Sequence, residues 1–110
     1  MRVLIGAATA LGPGKAGLIE AIDRTGSISA AARLMGMSYR RAWNLVDGMN
    51  KDFKKPIVKT NAGGKGGGGA EITPTGLEVL DLYREIESKA MASVESEIKK
   101  FSIYLRAKSS

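Results

Sequence analysis

The feature that most constrains this chain is a pair of short helical segments split by one glycine. The first reads Ile28-Ser29-Ala30-Ala31-Ala32-Arg33-Leu34-Met35. Gly36, Met37 and Ser38 follow, and the second segment begins at Tyr39 and runs to Met49. Two helices that cross closely need a small side chain where they touch, and Ala32 supplies it. A sharp turn needs a residue that tolerates positive φ, and Gly36 stands four positions later. Ser27 and Ser29 can cap the first segment, and Ser38 offers a fresh cap for the second. Ala42, Leu45, Val46 and Met49 recur at spacings of three and four, so they form one inner face, with Met37 plugging the core under the turn. An ordinary helical hairpin of another small domain shares this spacing, so the flanking segments have to decide.

Upstream, Lys15 to Arg24 reads as a helix with Leu18, Ile19 and Ile22 on one face and Gly26 at its C-cap. Val3 to Ile5 reads as a short strand. Downstream, Pro56 closes off the second helix of the pair. Ile57 to Thr60 and Ala70 to Ile72 are two short strands around Gly63-Gly64-Lys65-Gly66-Gly67-Gly68-Gly69, a pattern for a hairpin. Thr73-Pro74 starts a long helix, since Thr caps and Pro suits the first turn. Along it Val79, Tyr83, Ile86, Ala90, Val94, Ile98, Phe101 and Leu105 step by three or four, and Leu77, Leu80, Leu82 and Met91 widen the stripe. The order strand, helix, helix, tight turn, helix, hairpin, long helix is that of a winged helix-turn-helix. The expected fold class is therefore mainly α with a small β-sheet (α+β).

Charge narrows the partners. The 110 residues carry a net charge of +6 and no cysteine or histidine. The commonest general base, the commonest metal ligand and any disulfide framework are thus missing, which argues against an enzyme and leaves no cofactor to expect in this chain. Between Ser38 and Lys65 lie seven basic residues (Arg40, Arg41, Lys51, Lys54, Lys55, Lys59, Lys65) against Asp47 and Asp52. Such a segment favours a polyanion, nucleic acid first and an anionic membrane surface second. No apolar run approaches the ~20 residues of a membrane span, so no membrane partner is expected. The first residues carry one positive charge and a weak apolar stretch that meets Gly12-Pro13-Gly14, a poor signal peptide, so a cytoplasmic location is expected. Gly12-Pro13-Gly14-Lys15-Ala16-Gly17 formally fits a dinucleotide-binding loop, but the chain is too short for that fold and a helix follows.

The expected DNA-facing residues are Ser29, Ser38, Tyr39, Arg40, Arg41, Trp43, Asn44, Lys51, Thr60, Gly64, Lys65 and Gly66. The N-terminal and outward residues of the second helix of such a pair enter the major groove, with Asp47 a further candidate on that side. Arg pairs bidentately with guanine and Asn with adenine. Trp43 is either a half-buried core residue or an apolar surface against sugar or a thymine methyl. Lys51, Lys54 and Lys55 suit phosphates, or else form a solvated helix end. The glycine loop is either a DNA-contacting wing or a flexible linker. Residues 1–75 then form the DNA-binding domain, and 76–110 a helix of the same structural unit. That helix is expected to dimerise through Leu80, Tyr83, Ile86, Ala90, Val94 and Ile98, with parts of the first helix, because its stripe outruns what a three-helix core can cover. A non-specific architectural nucleic-acid-binding protein is the alternative reading.

Several strings together carry a family resemblance: Gly26-Ser27-Ile28-Ser29, Met37-Ser38-Tyr39-Arg40-Arg41-Ala42-Trp43, Met49-Asn50 and the run from Gly63 to Gly76. Over about Leu11 to Ala90 the chain resembles the N-terminal domain of the ModE family of molybdate-dependent transcriptional regulators. Its helix pair also resembles that of LysR-type regulators. The resemblance implies a winged helix-turn-helix that dimerises on inverted-repeat operators in double-stranded DNA, often near molybdate-transport genes. ModE proteins of the full kind carry C-terminal molybdate-binding domains, whereas this sequence runs to Ser110 and offers nothing to which molybdate binding could be assigned.

Overall fold

A computed structural model describes residues 11–61 and 69–106. The expected strand Val3 to Ile5 and the expected loop contacts Gly64, Lys65 and Gly66 lie outside the described residues. The element order is α1 (Pro13–Thr25), α2 (Ile28–Met35), α3 (Tyr39–Asp52), β1 (Val58–Thr60), β2 (Ala70–Ile72), α4 (Pro74–Ser93) and α5 (Glu95–Ser102). Each boundary has a local cause. Pro13 opens α1, and Gly26 ends it at φ 72°, donating its N–H to Ile22 O. Ser27 Oγ accepts from the Ala30 N–H at 3.1 Å and starts α2. Gly36, at φ 67°, ends α2. There the Met37 N–H reaches Ala32 O at 3.0 Å and the Gly36 N–H reaches Arg33 O at 3.2 Å, the two bonds of a Schellman turn. Ser38 Oγ then accepts from the Arg41 N–H at 3.1 Å and opens α3 within two residues of that turn.

The two strands pair antiparallel, with Val58 opposite Ile72, Lys59 opposite Glu71 and Thr60 opposite Ala70. Val58, Ala70 and Ile72 point into the core, while Lys59 and Glu71 face out. The sheet is tied to α1 by the Ala70 N–H donating to Gly26 O at 2.9 Å. It is tied to α4 by the Thr73 N–H donating to Ile57 O at 3.0 Å. Thr73 Oγ1 also donates to Pro56 O at 2.7 Å while accepting from the Gly76 N–H at 2.9 Å. One hydroxyl therefore caps α4 and pins the start of the wing.

The core is built from Leu18, Ile19 and Ile22 of α1, Val46 and Met49 of α3, and Ile57 ahead of β1, all fully buried. Each such side chain contributes roughly 1.5–3 kcal/mol by leaving water. Ala32 and Ala42 are buried, as a close helix crossing requires. Leu34 and Met35, by contrast, stand on the surface. Leu18, Ile19 and Ile22 of α1 are taken up by the chain's own core.

The last helix also departs from expectation in two ways. It is not continuous: α4 ends at Ser93 and Val94 takes φ −116°, ψ 13° before α5 begins. Ser93 Oγ donates back to Ala90 O at 2.8 Å. Such back-bonding, next to a β-branched residue, weakens the helical ladder at this point. Secondly, Leu80 and Tyr83, expected on the dimer face, are buried in the single chain with Gly76. The start of α4 is held too close to the sheet for its inner face to be free. A Cβ built on Gly76 would land on Ile57 O and lie 2.7 Å from Ile72 Cγ2. Arg84 extends this contact by pairing with Glu20 of α1 and, at 3.1 Å, with Glu87. Hydrogen bonding to Glu20 raises the Arg84 pKa further. Burial, with the Glu87 carboxylate adding to it, pushes the Tyr83 phenol up.

The glycines divide accordingly. Gly76→Ala is expected to destabilise the fold by about 1–3 kcal/mol through overpacking. Gly48, inside α3, meets nothing within 4 Å. Gly48→Ala is expected to stabilise by about 0.5–1 kcal/mol, from helix propensity alone. Urea denaturation of both variants checks the pair, and equal effects would show that the close approach at Gly76 does not matter.

Candidate nucleic-acid interface

Helical geometry sorts the residues of α3. Ala42, Val46 and Met49 are its buried side. On the opposite side, at i, i+4, i+7 and i+11, lie Arg40, Asn44, Asp47 and Lys51, all exposed. Arg41 flanks this row on one side, and an open depression there is lined by Ser38, Arg40, Arg41, Asn44 and Leu45. Tyr39 and Trp43 flank it on the other side, 57% and 41% exposed. Trp43 stands outside the buried core cluster and leaves part of its indole open on this side. A helix surface with guanidinium, amide and hydroxyl groups beside an exposed aromatic pair suits the polar edges and methyl groups of a major groove.

The wing is fixed to this helix by a residue that sequence reasoning passed over. Asn50 Oδ1 accepts from the Ile57 N–H at 2.8 Å and from the Val58 N–H at 3.1 Å. Its Nδ2 donates to Val58 O at 3.0 Å. A single amide thus satisfies three backbone groups of the segment entering β1. Asn50 lies seven residues after Trp43, on the same side of α3. The wing accordingly attaches on the Tyr39–Trp43 side of the helix. The available signal was an Asn shortly before a strand that starts after Pro56, but spacing alone does not say which backbone groups it meets.

The other expected contacts fall around this frame. Ser29 is exposed on α2, where its Oγ accepts from Arg33 Nη1 at 3.4 Å. Arg33, one turn further along α2, was not among the expected site residues and adds a cation beside it. Thr60 is exposed at the end of β1, next to the glycine-rich loop, with exposed Lys59 before it. Lys51 ends the outward row but pairs with Asp47 at 3.0 Å. Both side chains are well exposed, so the pair adds only ~0.3–0.5 kcal/mol to the helix. Lys54 and Lys55 are exposed in the link from α3 to β1. Of the expected dimer residues still free, Ile86 is 42% and Ile98 40% exposed, while Ala90 and Val94 are half-buried. Met91 and Ile98 take part in both of two adjoining grooves along α4 and α5. Among the described residues, no helix is long and apolar enough to cross a membrane.

Three helices, a tight turn and a two-stranded wing define a winged helix-turn-helix. The crystal structure of ArgP from Mycobacterium tuberculosis shares this fold, with a TM-score of 0.53 at 21% identity over 78% of this chain and 31% of its own. Sequence comparison goes further. The molybdenum-pterin-binding protein MopB of Rhodobacter capsulatus is 44% identical over 91 residues, 80% of this chain and 34% of MopB. The molybdenum transport protein ModE of Azotobacter vinelandii is 38% identical, over 79% of this chain and 32% of its own. The DNA-binding transcriptional dual regulator ModE of Escherichia coli K12 is 38% identical, over 71% of this chain and 31% of its own. Over most of its length the chain is a homologue of the ModE and MopB proteins. It spans about a third of the length of these relatives. No family model matches it.

Loss of the Asn50 clamp leaves two buried N–H groups without acceptors. Asn50→Ala is expected to cost about 1–3 kcal/mol. It should also speed amide exchange at Ile57 and Val58 far more than in α1. Uniform acceleration along the chain would mean that Asn50 stabilises the fold generally rather than the wing in particular.

Proposed function

We propose that this chain is a sequence-specific DNA-binding transcriptional regulator of molybdenum-related genes, acting as a homodimer on an inverted repeat. The observation that carries the reading is the outward row of α3. Arg40 and Asn44 stand free on the side opposite the core, just after a serine-capped N-terminus, with the wing clamped beside them. The N-terminal half of the second helix is the part of such a pair that enters the groove. Arg40 suits guanine O6 and N7, and Asn44 suits adenine N6 and N7. Arg41, Lys54, Lys55 and Lys59 serve the phosphates and set the register. The relatives named for DNA binding, transcription and molybdenum transport support this assignment.

Dimerisation is assigned to the part of the last helices that the core leaves uncovered. After Tyr83, none of α4 is fully buried and α5 has no buried residue, yet Ile86, Met91, Ile98 and Phe101 remain exposed. An isologous contact along this edge covers that apolar surface and sets two reading helices apart for two half-sites.

Electrophoretic shift on the upstream region of a molybdate-transport gene, at ~150 mM salt so that charge alone does not dominate, tests the first claim. Preference over random DNA is expected, and Arg40→Ala or Asn44→Ala should lose about tenfold or more of it. Equal binding of random DNA would favour the architectural alternative. Sedimentation equilibrium tests the second claim. The native chain is expected as a dimer, and Ile98→Glu as a folded monomer with weaker operator binding; a monomeric native chain would refute it.

A further inference from the structure

Asp47 and its ion-pair partner Lys51 are the members of the outward row that the proposed function does not use. Asp47 lies between Asn44 and Lys51 on the side of α3 opposite the core, with its side chain 54% exposed. A carboxylate on a surface that meets a polyanion is repelled by every phosphate nearby. Desolvated against DNA without a donor, it would be strongly unfavourable. The penalty is removed where the carboxylate accepts hydrogen bonds from a base. In the major groove the amino group of cytosine is the usual donor for an acidic side chain.

The neighbouring residues favour that role. Lys51 Nζ holds one carboxylate oxygen of Asp47, Oδ2, at 3.0 Å. The cation lowers the local repulsion from phosphate and leaves Oδ1 available to accept. Along the helix axis Asp47 lies ~4.5 Å beyond Asn44 and ~10 Å beyond Arg40. Those separations are of the order of one and three base-pair steps, so the three side chains can meet different base pairs of one half-site. We infer that Asp47 is a specificity-determining residue that reads the exocyclic amine of a cytosine in the major groove, with Lys51 as its positioning residue. The inference rests on the DNA-reading role proposed above and adds a base to it.

Selection from a random duplex library, with the intact chain and with Asp47→Asn and Asp47→Ala, tests it. Each selected site is then titrated with all four base pairs at every position, at one salt concentration. The native chain is expected to require a C·G pair at one position. Asp47→Ala should flatten that position by about tenfold or more while the others keep their preferences. Asp47→Asn should move the preference there to adenine, which an amide reads bidentately. Circular dichroism confirms that both variants fold, as expected for an exposed site. If both variants select the native motif unchanged, with affinity altered equally at every position, Asp47 acts only through its charge and the inference is overturned. If the native chain selects no motif, the DNA-reading role falls, and this inference with it.

Discussion

The fold turns on one side-chain amide. Asn50 sits near the end of α3 and hydrogen-bonds both sides of the backbone that enters β1. A wing of two three-residue strands is too short to be stable alone. It persists because its inward residues join the helical core and because its first strand is locked to α3. The same lock fixes the angle between the helix that carries Arg40 and Asn44 and the hairpin beside it. Buried backbone groups left without partners are costly, so the clamp is a structural obligation as well as a positioning device.

Around that lock the remaining links run in a ring. Gly26 O receives the Ala70 N–H, which ties the end of α1 to β2. Thr73 ties the start of α4 to Pro56 and Ile57, and Gly76 lets the two backbones approach. Glu20 and Arg84 close the circuit between α1 and α4. The consequence is a division of labour by position. The middle of the chain presents cations and amides outward, whereas the far end of the last helices presents exposed Ile98, Phe101, Ile103, Tyr104 and Leu105. A polyanion fits the first surface and an apolar partner fits the second.

Much of this was legible in the sequence because local chemistry and global fold agree. Gly26 and Gly36 take the left-handed conformation that their position after amphipathic segments implies, and Ser27, Ser38 and Thr73 cap the helices they precede. The spacing of Ala42, Val46 and Met49 gave the inner face of α3, and therefore its outer row. What was not legible depends on neighbours distant in sequence. Leu80 and Tyr83 share a helical stripe with Ile86 and Ile98, and periodicity cannot tell which part of a stripe the chain's own core takes. The break at Val94, beside a back-bonded serine, interrupts an otherwise unbroken apolar pattern. Asn50 and the Glu20–Arg84 pair act across the chain, so no local signal marks them.

The central claim is that α3 and the wing together form the surface that meets DNA. Amide chemical-shift mapping on the labelled chain, titrated with an operator duplex, tests it most directly. The account predicts large shifts from Ser38 to Lys51, at Ser29 and Arg33, and at Lys59 to Asn61, with little change beyond Tyr83. Shifts concentrated in α4 and α5, with Arg40 and Asn44 unmoved, would contradict it.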